Sequence, residues 1–170
     1  MSSSGPTFDV RATREFPVSV ESAYAAWTEE DLVKQWWGPL GFSCPVAAMD
    51  VRSGGVSVVG MRAPAEFGGV EMYNTWTYTL VDPPDRLEYD MRFSTADGQP
   101  ISPADAGIPG GVPDAVPHVV TFERLDDLRS QVSVTEYGYT AQDARDMSQA
   151  GLEECLDKLA SLLERVAPPS

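Results

Sequence analysis

The stretch from about Gln142 to Val166 reads as one long amphipathic helix, and no other feature of the chain restricts its fold as strongly. Met147, Gly151, Leu152, Cys155, Leu156, Leu159, Leu163 and Val166 recur at three- and four-residue spacing. Glu153, Glu154, Asp157, Lys158, Glu164 and Arg165 fill the other side. An apolar stripe of roughly six turns has to be covered by another apolar surface. Pro168-Pro169 ends the fold.

The preceding text supplies that surface, because it is rich in strands. Phe8 to Phe16 alternates, with Phe8, Val10, Ala12, Arg14 and Phe16 on one face, the period of a half-buried strand. Ser19 is placed to cap a helix from about Val20 to Thr28, and Thr28 to cap a second short helix that stops at Gly38-Pro39. Strands are expected near Val46 to Val51, Val56 to Arg62, Val70 to Val81, Arg86 to Phe93, His118 to Leu125 and Gln131 to Tyr139. Gly54-Gly55, the run from Asp82 to Asp85, and Asp126-Asp127 mark turns between them. An antiparallel sheet of about six to seven strands, with helices on one face, is the α+β solution for such an order. Ser94 to Pro117 stands apart. Its five prolines and four glycines show no period, and an insertion loop of this length is either a functional lid or disordered.

A chain of 170 residues that is 42% hydrophobic suits a single domain, placed at 8–167, with 1–7 as a flexible N-terminus. No run approaches the roughly 18 consecutive apolar residues of a membrane span. Met1 to Thr7 lacks the basic and apolar regions of a secretory signal, so a cytoplasmic location is expected. Twelve basic residues against 26 acidic ones give a net charge of -14, which repels phosphate backbones and anionic lipid. Neither nucleic acid nor membrane is an expected partner. Cys44 and Cys155 form no CxxC pair and the chain has one histidine, too few soft ligands for structural zinc. No metal or cofactor is expected, since GxGxxG, P-loop, GxSxG and HExxH motifs are all missing from the sequence.

The run Ala26-Trp27-Thr28, then Gln35-Trp36-Trp37-Gly38-Pro39 and Gly41-Phe42, resembles the signature of the START-like (SRPBCC) superfamily, in its activator of Hsp90 ATPase homologue (Aha-like) branch. Asp50-Val51-Arg52, Gly54-Gly55, Met61-Arg62, the turn Pro83-Pro84-Asp85-Arg86-Leu87, Val134-Thr135-Glu136, and Gly151-Leu152 with Leu156 and Leu159 follow in the same order. The resemblance covers about Phe8 to Val166. It implies a helix-grip fold, in which a curved sheet wraps the C-terminal helix and leaves a cavity between them. Leu152 stands where the family usually has tryptophan, which implies a larger or reshaped pocket floor.

Alternation nominates Met72, Asn74, Trp76, Tyr78 and Leu80, then Leu87, Tyr89, Met91 and Phe93, then His118, Val120 and Phe122, as inward residues; the helix adds Met147, Gly151, Leu152 and Cys155. From these, Asn74, Trp76, Tyr78, Tyr89, Met91, His118, Phe122, Met147, Gly151, Leu152 and Cys155 are candidate ligand contacts, together with Trp36. Aromatics with polar handles and adaptable methionines suit a mostly apolar pocket, although the same side chains can fill a solid core. One of Trp36 and Trp37 should enter the core and the other approach the cavity mouth; spacing does not order them. His118 is either a proton-transfer or ligand-orienting group, or a rim histidine bonded to backbone. Glu136 is either catalytic or the partner of an arginine such as Arg14 or Arg62.

Three functions compete. The first is binding of a small hydrophobic ligand, aromatic or polyketide-like. The second is a cyclase- or isomerase-type enzyme using His118 or Glu136. The third is a cochaperone-like module whose acidic surface docks a chaperone. A second copy of the chain is the remaining partner left open.

Overall fold

The computed structural model describes residues 5–166. Residues 1–4 of the expected flexible N-terminus, and the closing residues 167–170 with their proline pair, lie outside the described residues. Gly5 to Thr7 are exposed and irregular.

The elements are β1 (Phe8–Phe16), α1 (Val20–Thr28), α2 (Glu30–Trp36), β2 (Ser43–Ala48), β3 (Val56–Arg62), β4 (Glu71–Asp82), β5 (Arg86–Ser94), β6 (Val116–Asp126), β7 (Arg129–Tyr139) and α3 (Gln142–Val166). Seven strands form one antiparallel sheet in the order β1-β7-β6-β5-β4-β3-β2. From β2 to β7 each strand pairs with its sequence neighbour, while β1 and β2 occupy opposite edges. The chain must therefore cross from one edge to the other between them, and α1 and α2 make that crossing. α1 packs on β6 and β7, and α2 on β2. The sheet curls around α3, which lies against β1 and β7 and touches α2. This is the α+β helix-grip arrangement. No helix among the described residues is long and apolar enough to cross a membrane.

The stripe on α3 explains its position. Leu152, Cys155, Leu156, Leu159, Leu162 and Leu163 are buried, and each fully buried leucine contributes about 2 kcal/mol. Ser19 caps α1 as expected, its Oγ accepting from the Ser22 N–H at 3.2 Å.

Several local expectations are corrected. Thr28 does not cap α2: it is the last residue of α1, and its hydroxyl donates back to the Tyr24 carbonyl at 3.1 Å. Glu29 takes the cap position without a side-chain bond. β2 ends at Ala48 rather than Val51, because the Asp50 N–H turns to the Ser57 hydroxyl and Arg52 folds back on Asp50. Leu80 is exposed, since the β4–β5 register shifts between Tyr78 and Leu80, and Val81 packs on the core in its place.

The segment between β5 and β6 is a chain of turns docked on the domain. Ile101 donates to the Phe93 carbonyl, and Thr140, just before α3, donates to the Gly111 carbonyl. Gly111 has φ +104°, and a Cβ there would lie 2.6 Å from that of Ala141 and 2.9 Å from that of Ala144. Only glycine lets the loop sit this close to α3.

Candidate ligand cavity

Between the first half of α3 and the concave face of the sheet lies a cavity of about 270 Å³. α3 contributes Ala144, Met147, Ser148, Gly151, Leu152 and Cys155; the sheet contributes Met61, Met72, Asn74, Met91, Phe93, His118 and Glu136. Trp37, Pro39 and Phe42 come from the loop between α2 and β2, and Ile108 from the long segment. The wall is predominantly apolar. A smaller groove of about 160 Å³ between Arg92, Pro100, Ile101, Ser102 and Asp114 has mostly exposed sides and buries no titratable group.

The tandem tryptophans part where α2 stops. Trp36 is the last helical residue; it is fully buried, its Nε1 donates to the Ala26 carbonyl at 2.9 Å, and its ring lies 4.6 Å from that of Trp27. Trp37 is extended, which swings its ring to the cavity side, edge-on to Trp76 at 5.0 Å. Trp37, not Trp36, is therefore on the wall. The loop that follows is held by Lys158, whose Nζ donates to the carbonyls of Gly38 (3.0 Å), Pro39 (3.4 Å) and Phe42 (2.9 Å).

Asn74, Met91, His118, Met147, Gly151, Leu152 and Cys155 reach the wall. Met147 stands at its edge and is largely exposed rather than inward. Trp76, Tyr78, Tyr89 and Phe122 share the concave face but lie deeper, in solid core. Phe122 meets Tyr24 and Trp27 edge-on. Tyr78 bonds Ser57 at 2.8 Å. Tyr89 stacks between Trp76 (4.8 Å) and His118 (5.0 Å), so this column fixes the plane of the imidazole. Alternation identifies the face of a strand, not the depth at which a ring comes to rest.

At one end of the cavity His118 and Glu136, directly paired across β6 and β7, form a buried polar centre. The His118 Nδ1 bonds the Val116 carbonyl at 2.9 Å, and Nε2 faces Glu136 Oε2 at 3.5 Å. Glu136 Oε1 accepts from the Tyr139 hydroxyl at 2.6 Å and the Ser148 hydroxyl at 2.9 Å. Burial works to raise the Glu136 carboxyl. The charge His118 carries when protonated, with hydrogen bonds from Tyr139 and Ser148, outweighs burial and holds it below the ordinary glutamate value. Burial pushes the Cys155 thiol up to about 12, so it is no nucleophile at neutral pH.

The expected arginine partner for Glu136 is corrected. Arg14 is engaged by Glu153 (3.2 Å) and Asp157 (2.9 Å) of α3, and Arg62 by Glu71 across β3 and β4 (2.7 Å). Ser148 escaped the sequence reading, although it lies four residues from both Ala144 and Leu152 and so shares their helix face. Among the described residues, no group of three or more His, Cys, Asp or Glu side chains is placed to hold a metal.

Comparison with solved structures returns the same architecture. A protein from Chromobacterium violaceum is 25% identical, with 92% of this chain and 96% of that one aligned at TM-score 0.74. A Staphylococcus epidermidis protein is 23% identical over 100% and 98% of the two chains, TM-score 0.73. An AHSA1 protein from Silicibacter pomeroyi is 19% identical over 93% and 99%, TM-score 0.74. A search of the curated proteins finds no match. The model of the family described as activator of Hsp90 ATPase homolog 1-like protein matches residues 17–164. The match takes in the tandem tryptophans, strands β2 to β7 and nearly all of α3, and the chain belongs to that family.

Proposed function

We propose that the protein binds a small hydrophobic ligand, aromatic or polyketide-like, in the cavity under the first half of α3. The observation that carries this is a cavity of about 270 Å³ with an apolar wall, four methionines and a few buried polar groups. An apolar cavity of about 150 Å³ accepts one benzene ring. By that measure this cavity suits a body of about two rings. Methionine walls adapt to shape without a polar cost. Thermal shift and native mass spectrometry against naphthalene-sized aromatics test the reading; no shift and no adduct with any of them would sink it.

A second reading is favoured by one feature, the His118–Glu136 pair on the cavity wall. A carboxylate and an imidazole in contact are an acid–base couple, as a cyclase or isomerase needs. Its test is hydrogen exchange at the acetyl carbon of acetylnaphthalene in heavy water, followed by NMR. Exchange no faster than in buffer, or unaffected by His118→Ala and Glu136→Gln, removes the reading. Chaperone docking is supported by the family's description and the net charge of -14. Capture of Hsp90 that persists in high salt would count against electrostatic docking.

A further inference from the structure

The two polar ends of the cavity differ in what they offer. The indole N–H of Trp76 can only donate, and it donates to Asn74 Oδ1 at 2.9 Å. That bond fixes the amide: its oxygen faces the indole and its NH₂ group turns the other way. Asn74 is 2% exposed and lies in the cavity wall, and among the described residues no acceptor engages its Nδ2. One wall thus presents an unused donor.

The other end has unused capacity of the complementary kind. Glu136 Oε1 is saturated by Tyr139 and Ser148, whereas among the described residues Oε2 faces only His118 Nε2 at 3.5 Å. That is longer than the roughly 2.9 Å of a good N–H···O bond. A hydroxyl can enter there, donate to Oε2 and accept from a protonated Nε2.

The register shows that these ends are well apart. Tyr78 pairs with Tyr89, Tyr89 with His118, and His118 with Glu136, so the four form one row across the sheet. Asn74 is four residues before Tyr78 on β4, two strands from His118. At about 3.3 Å per residue and 4.8 Å per strand, Asn74 and His118 are offset by roughly 13 Å along the strands and 10 Å across them before the sheet curls.

We propose that the cavity selects an elongated two-ring ligand with a carbonyl-type acceptor at one end, received by Asn74, and a hydroxyl at the other, received by Glu136 and His118. Asn74 is the residue that sets which way the ligand lies. This inference rests on the cavity being a ligand site.

Four probes separate the two ideas: an acetylnaphthol with its substituents on opposite rings, naphthol, acetylnaphthalene and ethylnaphthalene, each titrated calorimetrically. The expected order places acetylnaphthol about tenfold tighter than either singly substituted probe, the scale of one hydrogen bond, and ethylnaphthalene weakest. Asn74→Asp keeps the acceptor for Trp76 and replaces the donor by an acceptor; it should weaken the two acetyl-bearing probes more than naphthol. If all four bind within about threefold of one another, polar selection fails while the apolar cavity stands. If none binds, both readings fail. Should Asn74→Asp not fold, the probe series on the unaltered protein still decides the question.

Discussion

Glu136 and Tyr139 point to the same side of β7 although they are three positions apart, a spacing that places side chains on opposite faces of a regular strand. The pairing explains it: Val10 opposes Glu136 and Phe8 opposes Tyr139, so β7 spends one more residue than β1 over the same length. Gly138 absorbs the extra residue with φ +96°. The bulge swings the Tyr139 hydroxyl to within 2.6 Å of Glu136 Oε1.

Gly138→Ala should therefore destabilise the protein through the backbone alone. Among the described residues, no atom lies within 4 Å of a Cβ built there, so nothing clashes. The cost is that of a left-handed conformation for an L-residue, about 1 to 2 kcal/mol. Urea unfolding measures it; an unchanged midpoint would mean that the bulge relaxes at no cost.

The lowered carboxyl of Glu136 sets a direction for the pH dependence. Unfolding returns the group to about 4.3, so the stability gained from its charge is complete above that value and lost as pH falls through the lower folded value. The difference in unfolding free energy between the wild type and Glu136→Gln should shrink as the pH falls below about 5. A difference that grows in acid would reverse the assignment.

Leu152→Trp should fill the cavity from its wall. Naphthalene-sized probes are expected to lose about tenfold or more in affinity, while the melting temperature stays level or rises as empty volume is occupied. Undiminished binding would place the ligand elsewhere.

Lys158→Met removes the donor shared by the carbonyls of Gly38, Pro39 and Phe42. The expected loss is about 2 kcal/mol in stability. Probe affinity should fall with it, because the same loop supplies Trp37, Pro39 and Phe42 to the wall. Stability lost with affinity intact would separate the loop from the site.

The segment from Ser94 to Pro117 places Ile108 on the wall and rests on α3 through Gly111. Limited proteolysis should cut it more slowly when acetylnaphthol is bound, and Gly111→Ala, which collides with Ala141 and Ala144, should speed cleavage. Equal rates with and without the probe would exclude a lid.

How far the residues alone reveal the site depends on which physical signal each position carries. The bounds of α3 and β3 were legible, α3 from its apolar stripe at three- and four-residue spacing and β3 from the Gly54-Gly55 turn before it. The register shift beside Leu80 has no compositional mark, so its outward turn could not be read, whereas Gly138 inside β7 was a mark of the bulge that turns Tyr139 inward. Trp36 and Trp37 exchange roles if α2 stops one residue earlier, a margin finer than helix signals provide. The partner of Glu136 required cross-strand register, and that register delivers His118 rather than an arginine. Trp76, Tyr78 and Tyr89 were placed on the correct face, but their depth follows from how the rings stack on one another.

α3 divides its labour along its length. The cavity is walled from Ala144 to Cys155, whereas Leu156, Leu159, Leu162 and Leu163 lie in core beyond it. Substitutions at Met147 or Gly151 can reshape the cavity without touching Leu156, Leu159, Leu162 and Leu163. One helix thus joins, end to end, a part free to change shape and a part that must hold still.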